Sequence, residues 1–455
     1  MASHIIDSVF FRDLFGTAEM RNVFSDDSLL QRWLDCESAL ARAEARFGVV
    51  PVEAAEEITR KARRDLIDPD AIERGIAETV HPIMPVIRAL AELCDGDAGQ
   101  YVHWGATTQD IMDTAVALQL KEAHRLLEAQ MDRVDNALVE LAVRYRETPM
   151  AGRTHGQHAV PITFGFKVAV WLSEWRRHRT RLSQCAQRVL VGELSGAAGT
   201  LAGLPDVGLA VQDAFCRELG LGRPDIAWHT ARDAIAEWCF VLALVSGTCG
   251  KIAHEIISLQ KDEVGELAEP HNDGKVGSST MPHKRNPMLC EAVMALAQLV
   301  KGQANTALGG LSHEHERDMG PWQAEWQYLP EATVNTAGCL EITTRVLVGL
   351  EVRPAAMARN LELTGGLICS EALMIRLGET IGRQRAHDVV YKVSMLAHET
   401  GVPFVTAALD CAEIKAVLSE EQVKELLEPR QYLGWATAFV DQVVAGQSVT
   451  SPLVL

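Results

Sequence analysis

Apolar residues recur along this chain with a helical period. Leu29, Leu30, Trp33, Leu34, Leu40 and Ala43 form one stripe, with Ser25 or Asp26 as its cap and Gly48 as its stop. Residues 112–145 contain neither Gly nor Pro. Within them Ala115, Leu118, Leu126, Leu127, Met131, Val134, Leu138 and Leu141 keep the same spacing. That pattern predicts a helix of about 30 residues, on the order of 45 Å long. Further helical patterns run over 161–190 and 234–267, and others begin near Cys290 and Leu329. Alternating strand patterns are almost absent. The expected class is therefore all-α, with three helical domains: 1–110, a central long-helix bundle over 111–355, and a small domain over 356–455. The apolar faces are too wide for one bundle to cover, which points to an oligomer that buries the excess. Gly and Pro cluster at 196–203, 220–224 and 270–287 and mark loops.

Length and charge narrow the picture. A chain of 455 residues exceeds one compact core. The formal net charge of -18 disfavours nucleic acid and anionic membranes as partners. It leaves room for a small anionic substrate, because a local basic cluster can reverse the field in one cleft. The 10 Cys include no C-x-x-C pair and lie among apolar neighbours, as at Cys239 and Cys369. Such cysteines read as buried thiols of a reducing compartment. The first ten residues lack a basic segment followed by a long apolar run, and the most apolar stretch, 240–245, is too short to span a bilayer. The expected location is cytoplasmic, away from membranes.

Candidate chemistry concentrates in the last of the three loops. Residues 274–287 read Gly-Lys-Val-Gly-Ser-Ser-Thr-Met-Pro-His-Lys-Arg-Asn-Pro, a dense run of hydrogen-bond donors. A Walker phosphate loop needs Lys followed by Ser or Thr, whereas Lys275 precedes Val276. Composition alone leaves this segment either a solvated polar loop or an anion-binding one. A second candidate is the pair His155 and His158, spaced i, i+3. No Cys or carboxylate is placed to complete a metal site around them, so no metal and no cofactor is expected.

Residues 277–287, Gly-Ser-Ser-Thr-Met-Pro-His-Lys-Arg-Asn-Pro, resemble the signature of the fumarase/aspartase superfamily. Residues 103–110, His-Trp-Gly-Ala-Thr-Thr-Gln-Asp, and 152–161, Gly-Arg-Thr-His-Gly-Gln-His-Ala-Val-Pro, are similar to two further regions of that family. The likeness continues through 359–367, so it covers nearly the whole chain. It implies a homotetramer with a shared helical core and active sites built from three subunits. It implies that Ser278 is the general base, acting as an alkoxide held by backbone N–H groups and by Lys284. Lys284 and Asn286 would hold the substrate carboxylate as charge builds, with Thr107 and Thr108 adding hydroxyl donors. Ser279, Thr154, Gln157, His81 and His103 match substrate-binding positions. His155 matches the general acid of adenylosuccinate lyase, and Glu291 the carboxylate that orients it. His283 and Arg285 either touch substrate or pin the loop.

Branch signals divide. Residues 24–44, the Trp228–Asp233 stretch with Arg232, and 313–326 with Arg317 resemble the 3-carboxy-cis,cis-muconate cycloisomerase branch, and both arginines are candidate substrate ligands. In adenylosuccinate lyase the last region carries Ser and Arg residues that grip a nucleotide phosphate. Here Gly320, Trp322, Gln323 and Trp326 stand in their place. The His155 and Glu291 pair points instead to elimination. The expected activity is β-elimination from a non-nucleotide N-substituted aspartate or related substituted succinate, releasing fumarate, with a C–N lyase favoured. The alternatives are lactonising cycloisomerase, adenylosuccinate lyase, and a non-catalytic structural relative.

Overall fold

A computed structural model describes residues 4–271, 278 and 280–446. Ser279 and the segment 272–277, which includes Gly277 and Lys275, lie outside the described residues. The fold is helical, as the periodicity predicts. The first apolar stripe forms the helix Asp26–Ala45, and the Ser25 hydroxyl caps it by accepting from the Ser28 N–H at 3.3 Å. Behind it Gly48 takes a left-handed φ of 73°, the conformation that lets the chain turn away. The long helices are Thr108–Arg144, Phe164–Val189, Asp233–Gln260, Met288–Gly309 and Met319–Val348.

Three boundaries depart from the sequence pattern for identifiable reasons. Met319–Val348 begins ten residues before Leu329. Pro321 falls in its first turn, where a missing N–H is harmless, so Gly320-Pro321 reads as a loop but starts a helix. Asp233–Gln260 stops early because Leu267–Ala268 pairs as a short strand with Glu351–Val352. Finally, Pro149–Thr154 and Gln157–Thr163 form an antiparallel hairpin ahead of the helix that starts at Phe164. The first four residues of its leading strand are all buried, so no alternation marks it in the sequence.

The chain groups into two compact units. One comprises 1–131, 177–249 and 292–342, the other 132–176, 250–291 and 343–455. Each long helix named above gives one stretch to each unit, so neither unit is a continuous piece of sequence. The first unit centres on Leu34, Leu40, Ile58, Ile83, Leu90, Ile111 and Phe215, all buried. In the second, Ser370–Ile381 packs on Arg383–Thr400 around Leu373, Leu377, Ala386 and Phe404. Gly382 joins these two helices at φ 87°, a position only glycine takes without strain.

Among the described residues, one helix, Asp233–Gln260, is long and apolar enough to cross a membrane. It counts as such because the helix runs on well beyond the apolar run 240–245. Its polar groups have protein partners: the Trp238 indole N–H donates to Thr333 at 3.1 Å, and the Ser246 and Thr336 hydroxyls meet at 3.3 Å.

One buried carboxyl in the first unit gives a stability prediction. Glu44 is 0% exposed, and neither carboxyl oxygen has a partner among the described residues. Burial, reinforced by the charge of Glu37, pushes its pKa up to about 9. The unfolded chain ionises near its ordinary value, while the folded chain keeps the proton. Folding stability should therefore be fullest below the ordinary carboxyl pKa and decline as pH rises toward 9, at up to about 1.4 kcal/mol per pH unit. In Glu44→Gln that slope should vanish. Denaturant titrations of both proteins at pH 5 and pH 8 check this: the variant should gain on the wild type at the higher pH. Parallel pH profiles would refute it.

Candidate active site

In the second unit the hairpin presents its tip to solvent. His155 and Gly156 are the two turn residues, at φ 53° and 75°. Two successive left-handed residues make a two-residue turn that matches the twist of the strands, and the first of them is not a glycine. A histidine held in that conformation is strained, and strain of this kind collects at functional sites. Thr154, His155 and Gln157 are all exposed. The strand below is fixed by a buried acid. Arg153 meets Glu266 through both terminal nitrogens, at 2.6 and 3.0 Å, and the Asn360 amide donates to the same carboxylate at 2.8 Å. Asn360 also donates to the Val264 carbonyl at 2.8 Å.

In the same unit the Ser278 loop runs into the helix that starts at Met288. Ser278 Oγ accepts the backbone N–H of Met281 at 3.0 Å and of Thr280 at 3.3 Å. Two N–H donors on one oxygen stabilise negative charge there. Lys284 is exposed, and its N–H donates to the Met281 carbonyl at 3.1 Å. The exit from the loop is held by Glu269, whose carboxylate accepts from the N–H groups of Leu289 and Cys290 at 3.0 Å, a cap on the helix N-terminus. Gln260 braces both sides, donating to the Arg285 carbonyl and accepting from the Glu269 N–H, each at 2.9 Å. Asn286 is half-buried, one turn ahead of Glu291, which is exposed in the helix's first turn. No hydrogen bond or ion pair joins His155 to Glu291 among the described residues.

The remaining candidates lie in the first unit. His103 is another non-glycine residue at positive φ, 64°, and its Nδ1 meets Glu37 Oε1 at 2.7 Å. Burial opposes charge on this ring, but the Glu37 carboxylate outweighs burial and raises the pKa above the usual histidine value. His81 accepts the Met84 N–H on Nδ1 at 3.2 Å, which leaves the proton of a neutral ring on Nε2. That Nε2 faces the Thr108 hydroxyl at 3.4 Å. Thr107 is held by Asp110, whose Oδ2 accepts its N–H at 2.9 Å.

Asp110 is the hub of a buried network. Besides Thr107 it accepts from the N–H groups of Ser195 and Gly196, at 3.0 and 2.9 Å, and contacts His229 Nε2 at 2.8 Å. Burial penalises charge on His229, yet the bond to Asp110 and the nearby Glu193 carboxylate raise its pKa above the usual value. Burial also pushes Glu193 up to about 7, against the pull of His229. The side-chain oxygens of Asp110 and Glu193 and a His229 ring nitrogen lie within 4.8 Å of one another, close enough to enclose an ion. Each carboxylate oxygen already accepts a hydrogen bond from the protein: the two Glu193 oxygens accept from the Ser195 hydroxyl and the Trp228 N–H. The cluster therefore reads as a hydrogen-bonded brace.

Both predicted arginines are held by polar groups of the same unit. Arg232 is 2% exposed and lies between two buried carboxylates, Asp113 and Glu325, with distances to Asp113 of 2.7 and 3.1 Å and to Glu325 of 3.0 and 2.5 Å. Its guanidinium also stacks 4.8 Å from the Trp228 ring centre. Arg317 donates to Gln109 at 2.9 Å and to the Ala197 carbonyl at 3.1 Å. Its Nη2 is buried with no partner among the described residues. One unit thus gathers His81, His103, Thr107, Thr108, Arg232 and Arg317, and the other Thr154, His155, Gln157, Ser278, Lys284, Asn286 and Glu291.

Comparison with known proteins adds the family. A family model described as Lyase matches residues 15–302, and one described as Adenylosuccinate lyase C-terminus matches 366–443. The chain is 41% identical over 445 residues to an N-acetyl-S-(2-succino)cysteine lyase of Enterococcus italicus, covering 98% of each chain. This chain belongs to the fumarase/aspartase superfamily of lyases. It is also 43% identical to a 3-carboxy-cis,cis-muconate cycloisomerase of Pseudomonas aeruginosa, over 96% of this chain and 95% of that one. Among solved structures, a fumarate lyase from Mesorhizobium sp. BNC1 matches at a TM-score of 0.90 and 43% identity, over 95% of this chain and 99% of that chain. Superfamily members of different activities thus match this chain about equally well, and similarity alone does not select among their reactions.

Several positioning residues of this superfamily member escape the sequence pattern. Glu193, Glu266 and Glu269 are isolated acids in segments that read only as helix ends or loops. Asp110 and His229 lie inside recognised regions, but nothing in the sequence pairs residues 119 positions apart. A buried acid carries no linear signal when its partner comes from a distant segment.

Proposed function

We propose that this lyase eliminates a heteroatom-linked group from a substituted succinate and releases fumarate, without metal or cofactor. The observation that carries the reading is Ser278 Oγ, which accepts two backbone N–H groups. As an alkoxide, Ser278 takes the proton from the carbon next to a carboxylate. Lys284 and Asn286 stabilise that carboxylate as it gains charge, and Thr107, Thr108 and Ser279 add donors. The bond from the neighbouring carbon to the heteroatom then breaks, its electron pair leaves with the heteroatom, and His155 supplies the proton. Glu291 orients His155. His81, His103, Thr154 and Gln157 position the substrate. The Arg232 donors are committed to Asp113 and Glu325, so its part is to hold the wall of the site. Arg317 Nη2, which has no partner among the described residues, is the donor it offers to substrate.

The heteroatom is nitrogen or sulfur. Nitrogen follows from the acid pair shared with adenylosuccinate lyase, and sulfur is named for the Enterococcus italicus relative. The enzyme acts as a homotetramer whose sites draw on three subunits. In support, His155 and Glu291 are exposed and have no side-chain partner among the described residues of one chain, as residues completed by another subunit would be. The cycloisomerase reading is favoured by the Pseudomonas aeruginosa relative and by residues 313–326.

The test is product formation. N- and S-substituted succinates should yield fumarate, followed by its ultraviolet absorbance, with chelator present throughout. Lactonisation of 3-carboxy-cis,cis-muconate, with no fumarate from any succinate, would replace this reading by the cycloisomerase one. Full activity from a sedimenting monomer would overturn the shared site.

A further inference from the structure

The elimination scheme gives Glu37 no part, yet Glu37 is placed to act on it. It lies in the helix Asp26–Ala45 with its side chain fully buried, and its Oε1 meets His103 Nδ1 at 2.7 Å. Its other oxygen is buried with no partner among the described residues. Glu44, two turns further along the same face, keeps its proton at neutral pH, partly because Glu37 is charged.

His103 is the group on which that charge acts. Its backbone stands at φ 64°, a left-handed position that fixes how the side chain leaves the chain. Nδ1 points inward at Glu37. Nε2, across the ring, has no partner among the described residues and is not sealed from solvent, and the side chain keeps 15% of its surface exposed. With the Nδ1 proton given to Glu37, a neutral ring would present a lone pair at Nε2, which repels a carboxylate. The protonated ring presents an N–H there instead. Two charged groups act on the ring, Glu37 from its helix and Asp110 from Thr108–Arg144. Both favour the protonated form, and together they outweigh burial.

A substituted succinate brings two carboxylates. In the elimination reading Lys284 and Asn286 take one, and the other needs a counter-charge. Arg232 is committed to Asp113 and Glu325, and His81 Nδ1 accepts a backbone N–H. We propose that Glu37 is a positioning residue: it holds His103 as an imidazolium whose Nε2–H binds the second carboxylate, and so selects dicarboxylates over their half-amides. The inference rests on the elimination reading above. Glu37 touches no substrate and acts through His103. A carboxamide in that place forms no ionic hydrogen bond with the ring.

Calorimetry on the full-length enzyme with methylsuccinate, whose methyl group cannot leave, measures this without turnover. At pH 7.5 Glu37→Gln and His103→Gln should each weaken binding about tenfold or more, within the range of a hydrogen bond to a charged group. The double variant should bind no more weakly than His103→Gln, because Glu37 acts through the ring. A purely structural Glu37 would add its own loss. The pH profile is a second readout. The protonated ring binds, so affinity is kept below the raised pKa of His103 and lost as pH rises through it. In Glu37→Gln only Asp110 opposes burial, so the loss should begin at lower pH, and the gap to wild type should narrow toward pH 5.5. Glu193, His229 and methylsuccinate itself titrate alike in every comparison and cancel. Of the two half-amides of methylsuccinate, one should bind weakly to wild type and be indifferent to His103→Gln. That variant, at the half-exposed end of the pair, tests the carboxylate even where Glu37→Gln does not fold. Additive losses in the double variant, or parallel pH profiles for wild type and Glu37→Gln, overturn the role of Glu37. Equal losses in His103→Gln for methylsuccinate and both half-amides overturn the carboxylate assignment. If binding follows the expected pattern and no substituted succinate yields fumarate, the elimination reading fails while the Glu37–His103 assignment stands.

Discussion

Ser278→Ala should lower kcat for fumarate release by about 10² to 10⁴-fold, with the folded state intact. The side chain is half-buried, and among the described residues its Oγ accepts from the N–H groups of Thr280 and Met281, two and three residues ahead. Removing the oxygen frees two exposed loop N–H groups to water and deletes no core contact. The melting transition should therefore stay within about 0.5 kcal/mol of wild type, the usual range for surface substitutions. The loss should appear in kcat, because the oxygen acts when the proton moves. Substrate affinity should survive, because Lys284 and Asn286 remain. Binding of a non-reactive succinate analogue separates the two effects. Wild-type turnover in the variant would remove Ser278 from the mechanism.

His155→Ala should show an effect that depends on the leaving group. An amine or amide departing as an anion is a poor leaving group, and an acid that protonates it in the transition state contributes about 10² to 10⁴-fold. A group that leaves as a stable anion, such as an aromatic thiolate, needs that proton far less. The variant should therefore be severely slowed on N-linked succinates and only mildly on aryl thioethers. Glu291→Gln should move both rates in the same order by smaller factors, since it loosens the acid without deleting it. Equal losses on both substrates would assign His155 to positioning. Efficient lactonisation of carboxymuconate by the His155→Ala variant would instead favour the cycloisomerase branch. The hairpin makes the test clean: His155 is exposed at the tip, Ala keeps the Cβ that the left-handed turn already carries, and the Arg153–Glu266 anchor below is not touched.

How much was legible differs between the two kinds of site residue. The Ser278 loop, the hairpin histidine and the Thr107–Asp110 segment stand out as candidates because each lies in a run of consecutive residues that resembles a region of the superfamily. The hairpin that carries His155 did not announce itself as strand, because Pro149–Thr154 is buried along most of its length. Arg232 shows the opposite case. Its segment is recognisable, yet only the fold reveals that Asp113 and Glu325 hold its guanidinium from both sides.

The sequence by itself determined the helical class, the long helices and the superfamily, because period and local motifs are properties of neighbouring residues. Tertiary structure alone decided which charges are paired and which donors are left open. Asp110 meets His229, Arg153 meets Glu266, and the Trp33 N–H meets nothing among the described residues. Those outcomes depend on partners about a hundred residues away or on the absence of any. Burial makes them consequential, because a buried polar group must find a partner, shift its pKa or wait for a ligand. No linear pattern records which of the three it does.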